Sequence, residues 1–300
     1  MLAIVLRLFI LFELAVYTTL ALGFFGASAL GAGLFAVAGV LGLRLWITAL
    51  TYAFAWYYRS PSAGLGWWPA IRMMIGEYMA FIVNFVVISP FERWWMGADR
   101  LRPSHERPVL LMINGYGCSR AAWWWLRRRL EGAGWVVATI SLEPIYTSIE
   151  NYVEPVSRRI DEVLAATGAR QVILIGHSMG GLVSRAYLRR YGAARVKRLL
   201  TLATPHAGSE LARMGIGENA RQMTPGNAWI KALASEAPAA DTLVIFSKHD
   251  NLVLPQSNLQ WPGAQIRIME GMGHLAMLYS PQVAAAVLDG LRPVTEAAAV

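Results

Sequence analysis

Three side chains with the chemistry of a nucleophile, an acid and a base stand just past three short apolar runs of this 300-residue chain. Ser178 lies in Gly176-His177-Ser178-Met179-Gly180, directly after Val172–Ile175 and before a helical stretch. A serine on so tight a strand–turn–helix is forced onto a strained, exposed backbone, with Gly176 and Gly180 leaving room for the turn. The Met179 amide then opens a helix, where a developing oxyanion is favoured. A nucleophilic serine needs a base, and the base needs an orienting acid. On this kind of turn the chain order is serine, acid, histidine. Asp250 follows the run Leu243–Phe246, and His274 follows Ile266–Met269, so both fall on the strand edge that carries Ser178.

The other candidates are placed less well. Asp241 begins its strand and therefore lies at the opposite edge. Glu270 follows its strand too closely but stays open as a second acid. His177 sits inside the turn, His206 and His105 precede the acid, and His249 would need an acid after it in the chain and so reads as solvating its loop. The first strand ends in Asn114-Gly115-Tyr116-Gly117-Cys118, and the Tyr116 amide is the expected second oxyanion donor. Cys118 has no histidine placed to activate it and reads as a small packed thiol. This chemistry needs no cofactor and no metal, and the five histidines and single cysteine show no metal-ligand spacing.

The elements that must position these groups alternate. Strand candidates are Val109–Ile113, Trp135–Ile140, Val172–Ile175, Leu199–Leu202, Leu243–Phe246 and Ile266–Met269, with helix candidates near 119–132, 148–166, 179–191 and 281–291. Short, continuously apolar, β-branched runs suit a parallel sheet covered on both faces. Alternation of strand and helix implies an α/β domain with a doubly wound, mostly parallel sheet of about six strands. It is expected over 105–294, followed by a tail at 295–300.

From about residue 106 to 293 the chain resembles the bacterial lipase/esterase branch of the α/β-hydrolase superfamily, in the minimal lipase type that lacks the first two strands. Leu110–Gly117, Gly176–Gly181, Thr201–Ser209 and Arg221–Gly226 carry the resemblance. It implies Ser178, Asp250 and His274 as a triad, with Tyr116 and Met179 as oxyanion donors. Asn114 departs from the pattern, standing where the family has a histidine of structural role. Residues 207–240, with Met214, Met223, Trp229 and Ile230, lie where a short cap over an acyl pocket is expected. Trp123, Trp124 and Trp125 are expected to line that pocket, touch lipid or pad the core.

Ahead of this domain the composition changes. Hydrophobic residues make up 56% of the chain and charged ones 15%, against roughly 25% charged in a soluble domain. The excess is clustered, since residues 1–58 carry only Arg7, Glu13 and Arg44 as charges. Leu8–Leu43 is too long for one bilayer crossing and suits two, each of about 20 residues. The expected hairpin spans 3–22 and 27–47, the second running on toward Tyr58, with a turn at Gly23–Gly26. Trp46, Trp56, Tyr57 and Tyr58 suit an interfacial belt. The next stretch, 59–104, reads as an interfacial connection, because Tyr78–Ile88 is short for a span. A cleaved signal peptide is the rival reading of the first segment. Arg7, Arg44, Arg59 and Arg72 place both ends of the hairpin, and the catalytic domain, in the cytoplasm; a third true span would invert this.

The net charge of +8 is scattered over helix-like stretches without any nucleic-acid motif, so solvated faces and anionic lipid are its expected partners. The resulting expectation is an integral membrane serine hydrolase acting on lipid or acyl esters, with no nucleic acid and no stated oligomeric state. A thioesterase or acyltransferase with the same triad, and a non-catalytic membrane module, stay open. All five proposed catalytic groups lie between Tyr116 and His274. The hairpin is therefore expected to serve substrate access alone, and a chain beginning near Arg102 to keep its turnover on short soluble esters.

Overall fold

The computed structural model describes residues 1–61 and 64–296. Helices α1 (Leu2–Gly23) and α2 (Ala29–Tyr58) form a hairpin, with Ser28 capping α2 by accepting from the Gly31 amide at 3.2 Å. Small residues bring the two backbones together: Ala21, Ala32 and Ala36 are buried between them, and a Cβ on Gly39 would sit 2.6 Å from the Tyr17 ring. Glu13 and Arg44 form a buried ion pair across the hairpin. The second helix runs on to Tyr58, as the longer expectation had it, and Arg44 lies inside α2 and not in the flank where the topology expectation put it. Its charge is met by Glu13, so the helix has no reason to stop there. Arg44 therefore says nothing about orientation.

Helix α3 (Trp67–Ile82) continues through a π-helical turn Val83–Ile88 and a 3-10 turn Ser89–Phe91 into α4 (Glu92–Met96). The whole run Trp67–Met96 has 30 residues and is, like α1 and α2, long and apolar enough to cross a membrane. The expectation that this segment is too short is thereby corrected; it counted only the uncharged residues 78–88, whereas the helix runs on through Arg72, Glu77, Glu92 and Arg93. Glu77, Ala80, Asn84 and Ile88 on its inner side are buried, while Trp67, Trp68, Ile75 and Met79 are exposed.

The remaining chain builds one sheet from β1 (Val109–Ile113), β2 (Val137–Ile140), β3 (Val172–His177), β4 (Val196–Leu202), β5 (Asp241–Ser247) and β6 (Gln265–Met269). Its order is β2-β1-β3-β4-β5-β6, and every neighbouring pair is parallel. Helices α5 (Trp124–Gly132), α6 (Val153–Thr167), α7 (Met179–Tyr191) and α10 (Pro281–Glu296) follow strands, with the short α8 (Glu218–Gln222) and α9 (Ala228–Ala234) between β4 and β5. The pattern of α6 shows why it packs: Val153, Val156, Ile160 and Val163 recur at helical spacing and are all buried. The helix stops at Gly168, which takes the left-handed conformation at φ 68°. Of the expected tail, 295 and 296 belong to α10, and 297–300 lie outside the described residues.

The order reverses at β1. Strand β2 lies on one side of it and β3 on the other, so the loops after β1 and β3 leave the sheet side by side, with Ile113 opposite Gly176. A crevice forms at the carboxyl ends of strands at such a reversal. The Tyr116 turn and the Ser178 turn both open into it.

Candidate active site

Ser178 joins β3 to α7 with φ 54° and ψ −126°, a region that side chains with a Cβ rarely occupy and that stores strain. The glycines around it are spacers against named neighbours. A Cβ on Gly176 would sit 2.5 Å from the Gly181 nitrogen, and one on Gly180 would sit 2.1 Å from the Ile113 carbonyl oxygen. Gly180 therefore lets the elbow lie against β1, while Gly176 leaves room for the Gly180–Gly181 backbone. The Met179 amide lies in the first turn of α7, where backbone N–H groups have no helical acceptor.

His274 and Asp250 come together in the loops after β6 and β5. The His274 Nδ1 and Asp250 Oδ2 atoms are 2.8 Å apart, and both residues are buried. The other carboxylate oxygen of Asp250 accepts the Leu252 and Val253 amides, each at 2.8 Å, which fixes its direction. Burial works against protonation of His274, but the Asp250 carboxylate outweighs it, with a further contribution from Glu77; its pKa is raised above the ordinary histidine value.

Ser178 and His274 line one cleft of about 380 Å³, together with Tyr116, Cys118, Met214 and Met223. Helix α3 and the π-helical turn after it add Phe81 and Phe85 to the wall. The Tyr116 side chain also braces the turn after β1. Its hydroxyl donates to the Ile216 carbonyl and accepts from the Ile216 amide, both at 2.8 Å, and so ties that turn to the 207–240 segment. Asn114 shapes the same turn by donating to the Cys118 carbonyl at 2.8 Å and accepting from Leu142 at 3.2 Å. The departure at this position thus keeps a structural role.

The rejected candidates sit elsewhere. Asp241 pairs with Arg198 at 3.3 Å, and Glu270 with Lys248 at 3.1 Å on the surface. Burial and the nearby Arg185 hold the His206 pKa low, and its ring lies between Arg185 Nη1 and Thr201 Oγ1, each at 3.1 Å. The His249 ring accepts the Gly271 amide at 3.1 Å. Burial pushes the Cys118 thiol up to about 12, which makes it a poor nucleophile. Of the 207–240 segment, Met214 and Met223 reach the cleft. Ile230 is instead buried in the core, and Trp229 donates its indole N–H to Glu150 at 2.8 Å. Trp123 is core, edge-on to His177 at 6.1 Å; Trp124 and Trp125 lie under Arg128 and Arg129. Among the described residues, no group of three or more His, Cys, Asp and Glu could hold a metal.

Sequence reasoning missed how the histidine turn is held. The His274 amide donates to Asn251 Oδ1 at 2.9 Å, and Asn251 Nδ2 donates to Thr51 of α2 at 2.8 Å. The Leu275 and Ala276 amides donate to the two oxygens of Glu77 on α3, at 3.0 and 2.8 Å. The hairpin was expected to serve substrate access alone; Thr51 of α2 reaches the histidine turn through Asn251, and Glu77 reaches it from the connecting segment. A lone carboxylate next to an apolar helical run was the one available signal, since such a charge is costly unless it has a role.

Comparison with known proteins agrees with the fold. Residues 146–258 match a family described as the PGAP1-like alpha/beta domain. Over 53 residues the chain is 53% identical to triacylglycerol lipases of Pseudarthrobacter phenanthrenivorans and Burkholderia plantarii. That stretch is 18% of this chain and 16% and 14% of those lipases, so the chain spans about a sixth of their length. Among solved structures, mature Bacillus licheniformis lipase BlEst2 superposes with a TM-score of 0.54 at 18% identity, covering 64% of this chain and 93% of that one. Aspergillus fumigatus lipase B gives 0.53 at 15% identity, covering 62% and 52%. The six-stranded parallel sheet and the elbow give the chain the α/β-hydrolase fold, and the stretches it shares with these relatives are similar to lipases.

Proposed function

We propose that this protein is a membrane-anchored serine hydrolase that cleaves carboxylic esters of lipid or acyl substrates through an acyl-enzyme. The observation that carries the reading is the buried His274–Asp250 pair at 2.8 Å, facing one apolar cleft with the strained Ser178. Ser178 Oγ attacks the acyl carbonyl while the neutral His274 ring takes its proton. Asp250 holds the ring with its Nδ1 protonated and stabilises the imidazolium that forms. The Met179 and Tyr116 amides receive the oxyanion. His274 then returns its proton to the leaving alcohol, and water resolves the acyl-enzyme by the same steps. Phe81, Phe85, Met214 and Met223 give the cleft the apolar wall that an acyl chain would fill.

The anchor is α1 and α2, whose outward faces expose Leu8, Phe12, Leu34 and Leu45, among other large apolar side chains. Helix α3, with its inner side buried against the catalytic domain and Trp67 and Trp68 exposed, serves as the interfacial helix. On this reading both ends of the hairpin, and the catalytic domain, lie on the cytoplasmic side; a reporter fused after Val300 should behave as cytoplasmic, and an exported reporter would mean either that α3 also spans or that the first segment is a signal peptide.

The test is labelling of the full chain with a fluorophosphonate, followed by hydrolysis of acyl esters of graded length. Ser178→Ala should abolish both. Labelling that persists in this variant, or that moves to Cys118, contradicts the proposal.

A further inference from the structure

Glu77 is 2% exposed, on a helix whose outer side is apolar. Burying a carboxylate is costly unless its oxygens are satisfied. Among the described residues Glu77 has no ion pair with lysine or arginine; its two oxygens instead accept the Leu275 and Ala276 amides. Those are the two residues immediately after His274. The residue immediately before is Gly273, and a Cβ there would lie 2.5 Å from Glu77 Oε2 and 2.7 Å from the Tyr52 hydroxyl. The histidine turn therefore carries a glycine at the point where α2 and α3 press against it. The His274 amide is tied to α2 as well, through Asn251 and Thr51. Three consecutive amides of one turn thus end on groups fixed by the N-terminal helices.

Resting on the hydrolase reading above, we propose that Glu77 is a positioning residue for His274, and that the N-terminal helices are a working part of the active site. The carboxylate acts in two ways. Its hydrogen bonds fix the turn that aims the imidazole at Ser178, and its charge lies near the ring that becomes imidazolium during acylation. The groups facing His274 are Asp250 after β5, Glu77 on α3 and His177 in the elbow, whose ring centroid is 4.7 Å away; Tyr52 of α2 stands beside Glu77. Burial, with His274 close by, holds the His177 pKa well below the ordinary value, so His177 stays neutral. Burial also raises the Glu77 pKa, while the Leu275 and Ala276 amides and His274 favour its charged form.

The test uses the full chain in lipid nanodiscs with p-nitrophenyl butyrate, a short soluble ester, with kcat and KM followed against pH. Glu77→Gln keeps the shape but loses the charge and one of the two acceptors. It should lower kcat about 10–100-fold, as expected when a reacting group is misplaced by about 1 Å, with KM little changed. Because Glu77 helps to raise the His274 pKa, the acid limb of kcat/KM should move to lower pH. Thr51→Val removes an acceptor without removing a charge, so kcat should fall by a smaller factor and the limb should stay in place. Wild-type kcat in Glu77→Gln, or a loss of kcat with the limb unmoved, overturns the proposal. If Glu77→Gln does not fold, Thr51→Val decides: unchanged kcat overturns the proposal and a lowered kcat supports it. An inactive wild type would instead bring down the hydrolase reading, which separates the two failures.

Discussion

The serine elbow and the histidine turn meet at one sheet edge but owe their shapes to different neighbours. The elbow is held from within the sheet: Gly180 lies against β1, Gly176 against the start of α7, and the Ser178 amide donates to the Leu202 carbonyl of β4 at 2.8 Å. The histidine turn is held from outside it, by Glu77 and by Thr51 through Asn251, residues about 200 positions away in the chain. One half of the site comes with the fold. The other half depends on the N-terminal helices being seated on the domain.

The largest effects should fall on the groups that touch substrate and leave both halves folded. Ser178→Ala and His274→Ala should each cost several powers of ten in turnover of an acyl ester, and the double variant should be little worse, because such groups act as a unit. Additive losses would mean that they do not. Next, Asp250→Asn should cost about 10⁴-fold by favouring the wrong imidazole tautomer. Asp241→Asn, at the opposite strand end, should keep most of the rate; a reversed result would relocate the acid.

The two glycines separate the halves. Gly180→Ala forces a Cβ against the Ile113 carbonyl, so the melting temperature should fall with a destabilisation near the top of the about 1–3 kcal/mol range for overpacking. Gly273→Ala should lower kcat with a smaller shift in melting, since its Cβ meets the side-chain ends of Glu77 and Tyr52 and not backbone. Equal melting shifts would contradict the contrast. The smallest expected effect is the position of the wild-type acid limb. His274 must be neutral to act as base, and its raised pKa places the limb of kcat/KM above pH 6.5, with activity lost as pH falls through it. A limb below that value would show that burial outweighs the two carboxylates.

This division also marks what the sequence made legible. The apolar runs marked all six strands, with ends within a few residues; five are largely buried, as a doubly covered parallel sheet requires, whereas β6, at the sheet edge, is exposed except at Met269. The places of Ser178, Asp250 and His274 at the sheet edge could be read because β3, β5 and β6 end at His177, Ser247 and Met269, shortly before them, so each place is a local property. Glu77 and Thr51 could not, because their partners are backbone amides, which carry no residue signature, and only the packing of α2 and α3 brings them near. Arg44 misled for a related reason: it counts as a flanking charge after the hairpin until its buried partner Glu13 is known. Trp229 and Ile230 were expected over the cleft by segment alone, whereas Trp229 bonds Glu150 and Ile230 is buried in the core.

The contrast between the halves can be measured without any substrate. Backbone amides held by native hydrogen bonds exchange slowly, and local loosening speeds them selectively. Hydrogen–deuterium exchange of the full chain in nanodiscs, wild type against Glu77→Gln, should be compared in two peptides, one covering residues 270–280 and one covering 172–184. Faster exchange is expected in the histidine turn, with the elbow unchanged. Unchanged exchange at Leu275 and Ala276, or an equal rise in both peptides, would contradict the claim that the N-terminal helices hold one half of the site.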